Sequence, residues 1–594
     1  MLALKEINGQ PLTVEQTSYL DGLFAGIRNR GLTFEEVGSA PSSRTKNELT
    51  NAAQDLIFEE EVKQKSSPLD AFPLILQHSI TNQAPGKEEV FRFKWHGLFY
   101  LSPIKNSYMA RLRIPGGQLK SFQLRELANV AEELTTGYVQ ITTRANFQIR
   151  LIEPRNTPEF LRRVQSVGLH TKGAGADNVR NITANPTAGV DPYELIDTLP
   201  FCRQMAQVIL NTREFYDLPR KFNIAFDGGG LIGTVENTND IGLSAVRVLA
   251  PSTSLPPGIY FRVKLGGATG HKAFASDLGV LVTPEEVVRV TSELLRVYIK
   301  HGERGDRKKA RLKHLLETWS LEKYLSETEK LLSYTLIRSP LTETGLGILQ
   351  ETSQVPSVAH SHVGVYPQKQ SGLNYIGVAI PVGHITPQQM LQLADLVDQY
   401  GSGEIRLTVW QNLVIPNVPD AMLETLKVAL VKIGLRWKQS NLRSGIVACT
   451  GNSYCKFAAS DTKGHAIELA TYIETQCELD QPINIHLTGC PNSCAQHYMG
   501  DIGLLGTKVK VSGESVDGYH VFVGGGFDRN KAIGRQLFSS LTFGQIKEIL
   551  VMIVKGYLQH RQAGETFQQF TSRHDLTTLQ TLFGRNDGVI SSVE

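Results

Sequence analysis

Two stretches of this chain repeat each other. IPGGQLKSFQLRELANVAEELTTGYVQITTRANFQI (114–149) lies without a gap over IPVGHITPQQMLQLADLVDQYGSGEIRLTVWQNLVI (380–415), each pair 266 positions apart. Pro115/Pro381, Gly117/Gly383, Leu127/Leu393, Ala128/Ala394, Gly137/Gly403, Thr142/Thr408 and Asn146/Asn412 coincide. Each copy reads as a turn, an amphipathic helix, a glycine break and an alternating strand. So long a period excludes a solenoid and predicts two halves about a pseudo-twofold axis. A ligand bound between the halves would lie near that axis.

The rest of the chain arranges itself around the repeat. At 594 residues it is too long for one ordinary domain. The expected fold is α+β, with three mixed domains built around the duplicated half-domain. The copies occupy 89–157 and 346–428, and mixed segments fill 158–345 and 429–594. Residues 1–88 read as a mostly helical extension and linker. There Thr13 and Gln16 suggest a capping box, and Tyr19, Leu20, Phe24 and Ile27 recur at helical spacing.

Several functions are disfavoured at this point. The net charge is +3 with no long Lys/Arg block, against a nucleic-acid arm. No run of about twenty apolar residues suggests a membrane span. The opening MLALKEINGQPLTVEQ lacks the pattern of a signal or transit peptide, and six cysteines suit a reducing compartment, so the cytoplasm is expected. Gly228, Gly230 and Gly233 satisfy G-x-G-x-x-G, but the following TVENTNDIGLS has no helical apolar face to receive a pyrophosphate.

Four cysteines form the chemical signature. Cys449 and Cys455 lie in CTGNSYC after the apolar GIVA, and Cys490 and Cys494 lie in GCPNSC after INIHL. Each pair therefore follows a predicted strand, which places four thiols on loops at one sheet edge. Structural zinc prefers closer pairs than Cys449 and Cys455, and unequal, longer spacing suits an iron–sulfur cube better. Zinc remains the alternative at this stage. Pro491 suits the first position of a short helix through Asn492 to His497, whose free amides could point at cluster sulfurs. Cys202 and Cys477 stand alone and read as buried thiols.

CTGNSYC, TGCPNSC and the following DIGLLG resemble the siroheme and [4Fe-4S] nitrite and sulfite reductases. The likeness extends through LFYLSPIKNSYMARLRIPGG, ADNVRNITANPTAGVDP, LPRKFNIAF, RGDRKKAR and GVYPQKQSGL, over about residues 90–560, and is strongest to the ferredoxin-dependent nitrite reductases. The first ninety residues diverge from the plant-type pattern. The resemblance implies a siroheme between the halves and a [4Fe-4S] cluster on the four cysteines, with Cys494 shared by cluster and siroheme iron. It implies that Arg111, Arg180, Lys221 and Asn223 bind the substrate anion. Arg113, Arg144, Asn146, Arg150, Arg307, Arg311, Gln368 and Lys369 become the candidates for the siroheme carboxylates.

Arginine is a fixed cation, so Lys221 or an ordered water is the expected proton source. The similar sulfite reductases carry a second lysine where Asn223 stands here. A smaller, singly charged anion is adequately served by an amide, which favours nitrite over sulfite. With no nucleotide site, no flavoprotein-like segment and no second cysteine cluster, an external one-electron carrier is implied, which the resemblance makes ferredoxin, with flavodoxin as the alternative. The expected reaction is six-electron reduction of nitrite to ammonia by a monomer. The competing readings are sulfite reduction, a precorrin monooxygenase on the same scaffold, and a non-enzymatic Fe–S or zinc module.

Overall fold

In the computed structural model, which describes residues 6–7, 10–11, 56–100, 103–249, 256–339, 349–350 and 362–583, the two repeats fold alike and exchange a strand. Helix Ser121–Leu134 of the first copy corresponds to helix Pro387–Tyr400 of the second, and the two pack together. Strand Gln118–Lys120 of the first copy pairs with Glu404–Leu407 of the second. Reciprocally, His384–Ile385 of the second pairs with Val139–Ile141 of the first. Each half thus completes the other's five-stranded sheet. One apolar core runs through both, from Leu127 and Phe147 to Leu393 and Ile415.

The backbone keeps the 266-residue register closely. Gly117 N–H donates to Ile114 O and Gly383 N–H to Ile380 O, both at 2.9 Å. Gly137 N–H reaches Ala131 O at 3.1 Å and Gly403 N–H reaches Val397 O at 3.0 Å. Gly117 and Gly383 have φ of 72° and 74°, a left-handed conformation that explains why glycine stands at both places.

The outer segments are duplicated as well. In the first, parallel bridges join Val179 to Phe222 and Thr183 to Ala225, and helix Leu199–Asn211 lies between these partners in sequence. Strands Ile224–Asp227, Ile241–Val248, Gly258–Leu265 and Ser276–Val282 follow, then helix Val287–His301. In the second, strand Ile446–Ala448 and helix Thr462–Gln476 precede strands Ile485–Thr488, Ile502–Val511, Glu514–Val523 and Arg535–Thr542 and helix Phe543–His560. Both sheets run parallel, parallel, antiparallel, antiparallel. Insertions and deletions shift this second repeat off a single period, which hides it from a gapless comparison.

The described part of the N-terminal extension is helical over Phe58–Lys65, Phe72–Thr81 and Lys87–Arg92. Ala71 and Ile75 enter the half-domain core, and Glu59 and Glu60 pair with Arg307 and Arg304 at 3.3 and 3.1 Å. The helix expected around Tyr19 to Ile27 lies outside the described residues. The glycines 228, 230 and 233 form a loop followed only by the single turn Glu236–Thr238, with no helix for a nucleotide phosphate. Among the described residues no helix is long and apolar enough to cross a membrane.

Candidate active site

The four thiols sit where the second outer sheet ends. Strands Ile446–Ala448 and Ile485–Thr488 are parallel neighbours with Ala448 opposite Leu487, so Cys449 and the Gly489–Cys490 turn emerge side by side. Cys449 N–H donates to Leu487 O at 3.0 Å, and Gly489 N–H donates to Cys449 Sγ at 3.2 Å. All four thiols lie within one another's field, and burial together with this mutual repulsion pushes Cys494 up to about 11. Cys494 is accessible to solvent yet surrounded by protein, as at the floor of a cleft. Among the described residues no three His, Cys, Asp or Glu side chains are grouped closely enough for one metal ion.

Residues 490–499 are not the short helix that Pro491 suggests. They form successive turns, with Ser493 N–H on Cys490 O, Gln496 N–H on Ser493 O and Met499 N–H on Gln496 O. Ser493 and Gln496 are left-handed, at φ 52° and 54°, which breaks the helical repeat after each turn. Tertiary contacts take over: Ala495 N–H goes to Thr488 Oγ1, and Thr143 of the first half-domain donates to the Cys494 carbonyl at 2.9 Å.

A set of cations from the first half gathers on the same cleft. Arg111 ends strand Tyr108–Arg111, and its guanidinium shares the Ala174 carbonyl with Arg180, at 3.3 and 2.7 Å. Arg111 also stacks on Phe99, 4.6 Å from the ring centre, and feels Cys494 electrostatically. Lys221 and Asn223 flank the fully buried Phe222 and, being two apart in an extended segment, share a side. Lys221 makes no hydrogen bond to a described residue. Burial lowers its ammonium to about 7, Arg311 and Arg180 add to the fall, and Cys494 opposes it.

The remaining sequence candidates divide into two groups. Arg144 donates to Asn239 Oδ1 and to the carbonyls of Asn181 and Ile224, but its Nε has no partner. Arg150 donates to Gln148 Oε1 and to Thr450 Oγ1 of the cysteine loop, both at 2.9 Å, and its Nε is also unpartnered. Burial lowers both guanidinium groups to about 10. Others are fully engaged within the protein. Arg113 donates to the carbonyls of Lys172, Gly173, Val179 and Arg180. Asn146 bonds Leu112 O and Thr142 Oγ1.

Arg307 forms a bidentate pair with buried Asp177, and Arg311 does so with buried Asp240, which also accepts Asn223 N–H at 2.8 Å. Gln368 bonds Asn417 and Gln370, and Lys369 pairs with Glu194 at 2.7 Å, with no contact that brings either to Cys494.

These observations test the expected cofactors. Arg111, Arg144, Arg150, Arg180 and Lys221 are desolvated cations with no carboxylate ion pair among the described residues, whereas Arg307 and Arg311 each have an aspartate. Buried, unpaired charge is costly unless something anionic offsets it. A polyanionic tetrapyrrole above Cys494 fits that requirement, and four loop thiols fit a [4Fe-4S] cluster. Sequence reasoning missed Thr143, Thr450 and Asp240, ordinary residues whose role depends on contacts 71 to 351 positions away. It also missed Lys463, an isolated lysine in AASDTKGH that is buried against the Cys449 strand.

Comparison with known proteins agrees with this arrangement. Residues 175–336 and 439–579 match the family described as the nitrite and sulphite reductase 4Fe-4S domain. Residues 103–167 and 366–433 match the nitrite/sulfite reductase ferredoxin-like half domain. A ferredoxin–nitrite reductase of Synechococcus elongatus is 36% identical over 475 residues, 78% of this chain and 89% of that protein. The chloroplastic ferredoxin–nitrite reductase of Zea mays is 36% identical over 73% of this chain and 76% of its own. The solved structure of the Mycobacterium tuberculosis NirA protein superposes with a TM-score of 0.80 at 30% identity, covering 88% of this chain and 97% of that one.

Proposed function

Because this chain belongs to the nitrite and sulphite reductase family, we propose that it reduces nitrite to ammonium at a siroheme coupled to a [4Fe-4S] cluster. Electrons arrive one at a time from reduced ferredoxin, as the names of its relatives suggest, with flavodoxin able to replace it. Six electrons and eight protons convert nitrite to ammonium and two waters. The protein acts as a cytoplasmic monomer. When bound, the coupled siroheme and cluster supply the redox chemistry, storing electrons and passing them to the ligated anion.

The chain's own residues do the rest. Arg111, Arg180 and Lys221 hold the anion by charge in a cleft that partly shields them from water, so they stabilise negative charge as N–O bonds break. Asn223 supplies an amide, its backbone fixed by Asp240. The Lys221 ammonium, unlike the guanidinium groups, can release a proton at Nζ and recover it from solvent. Arg144 and Arg150 would meet carboxylates of the tetrapyrrole, and Cys449, Cys455, Cys490 and Cys494 would hold the cluster, with Cys494 shared between cluster and siroheme.

The observation that carries this reading is the group of half-buried cations without carboxylate partners beside Cys494. Turnover of nitrite and of sulfite with reduced viologen, with ammonium and sulfide quantified, tests it. Nitrite is the preferred substrate, and Asn223→Lys shifts the ratio of kcat/KM toward sulfite by about tenfold. Preparations that lack siroheme absorption, or that prefer sulfite without the substitution, contradict the reading.

A further inference from the structure

Lys463 lies against the end of the strand that leads into Cys449. It is the second residue of helix Thr462–Gln476 and only 7% exposed. Its ammonium donates to Val382 O, in the turn that opens the second half-domain repeat, and to Ala448 O at 3.4 Å, the carbonyl that leads into Cys449. It has no carboxylate ion pair among the described residues; burial lowers its ammonium to about 8, and the Cys449 thiol opposes that fall. The Cys449 sulfur also receives Gly489 N–H and lies 3.4 Å from Thr462 Oγ1. One corner of the thiol set therefore carries a buried positive charge and hydrogen bonds, while Cys455 sits on a loop whose neighbours Lys456 and Phe457 face solvent.

The pseudo-symmetric place in the first half holds a thiol in place of the ammonium. There helix Leu199–Asn211 turns Cys202 toward Gly116, the counterpart of Val382, and that thiol donates to Ile182 O at 3.3 Å. The ammonium is thus present only in the half that holds the four cysteines. Hydrogen bonds and net charge around cluster sulfurs set reduction potential, because adding an electron makes an already anionic centre more negative.

We propose that Lys463 is the fixed counter-charge that raises the reduction potential of the [4Fe-4S] cluster, making it an acceptor for the external one-electron donor. One electron passes from the reduced carrier to the cluster, no bond forms or breaks, and Lys463 keeps its proton. The inference rests on the cluster assignment of the proposed function. Its role is to position the potential, and it touches no reacting atom.

Redox titration of the purified holoenzyme, with the reduced cluster read by electron paramagnetic resonance, tests it. At the ambient potential that half-reduces the wild-type cluster, Lys463→Met lowers the reduced-to-oxidised ratio about tenfold, equivalent to about 59 mV for a one-electron couple. Lys463→Arg stays near wild type, and the siroheme potential moves less than the cluster's. Should Lys463→Met fail to take up a cluster, Lys463→Gln provides the same readout. An unchanged ratio in a neutral variant overturns the proposal. So does loss of the cluster in both neutral variants but not in Lys463→Arg, which would make Lys463 a structural tie alone. A wild-type protein without a cluster instead overturns the functional reading beneath it.

Discussion

The two halves share a backbone and differ in what they carry. Arg111, Arg113, Arg144 and Arg150 of the first copy stand opposite Gly377, Ala379, Trp410 and Pro416 of the second. Trp410 is buried, 4.7 Å from the ring centre of Phe527 and 5.5 Å from that of His362. Gly377 lies so close to the neighbouring strand that a Cβ would fall 2.4 Å from the His362 carbonyl oxygen. In the second half, then, these positions close against protein, while in the first Arg111, Arg144 and Arg150 keep charge without a carboxylate partner and Arg113 ties backbone carbonyls together. The second half contributes thiols instead, from the sheet whose first-half counterpart ends in the Gly228–Gly233 loop. Duplication gave one scaffold two faces, one presenting cations and the other thiols.

That contrast can be broken by substitution. The largest effect on folding is expected from Gly377→Ala, whose methyl meets backbone that cannot easily yield. It destabilises the protein by about 3 kcal/mol, read as a lowered urea midpoint. At the matching position, Arg111→Ala leaves that midpoint nearly unchanged but lowers kcat/KM for nitrite about a hundredfold, by removing charge from the site. A large stability loss in Arg111→Ala with unaltered turnover would invert the comparison.

Asn146 and Asn412 sharpen it from the other side, because here the halves agree. The carbonyls of Asn146 and Asn412 accept Thr142 N–H and Thr408 N–H, both at 2.9 Å, and each side chain ties the turn to the segment before it, Asn412 Oδ1 accepting Ile380 N–H at 2.8 Å and Asn146 donating to Leu112 O at 2.6 Å. Alanine at either place costs about 1 to 2 kcal/mol in unfolding experiments and leaves nitrite affinity intact. Loss of siroheme from Asn146→Ala alone would instead make Asn146 a cofactor ligand.

Much of this was legible in the sequence, for reasons that residues make clear. The gapless repeat preserved its turns, so Gly117 and Gly383 marked both copies. CTGNSYC and TGCPNSC followed apolar runs that are indeed adjacent parallel strands. Arg111, Arg180, Lys221 and Asn223 converge because bridges at Phe222 and contacts around Ala174 bring distant segments together. What stayed hidden was long-range. Nothing near Arg307 or Arg311 announces Asp177 or Asp240, which are 130 and 71 positions away. Pro491 favours a helix start, yet left-handed Ser493 and Gln496 override it.

The central claim is that Cys494, from the thiol-bearing half, couples cluster to siroheme beneath the cations of the other half. Cys494→Ser tests it most directly, through the absorption spectrum of the purified protein before and after nitrite, together with viologen-driven turnover. The account predicts an altered siroheme spectrum and a loss of activity of more than about a hundredfold. An unchanged spectrum with full activity would contradict it.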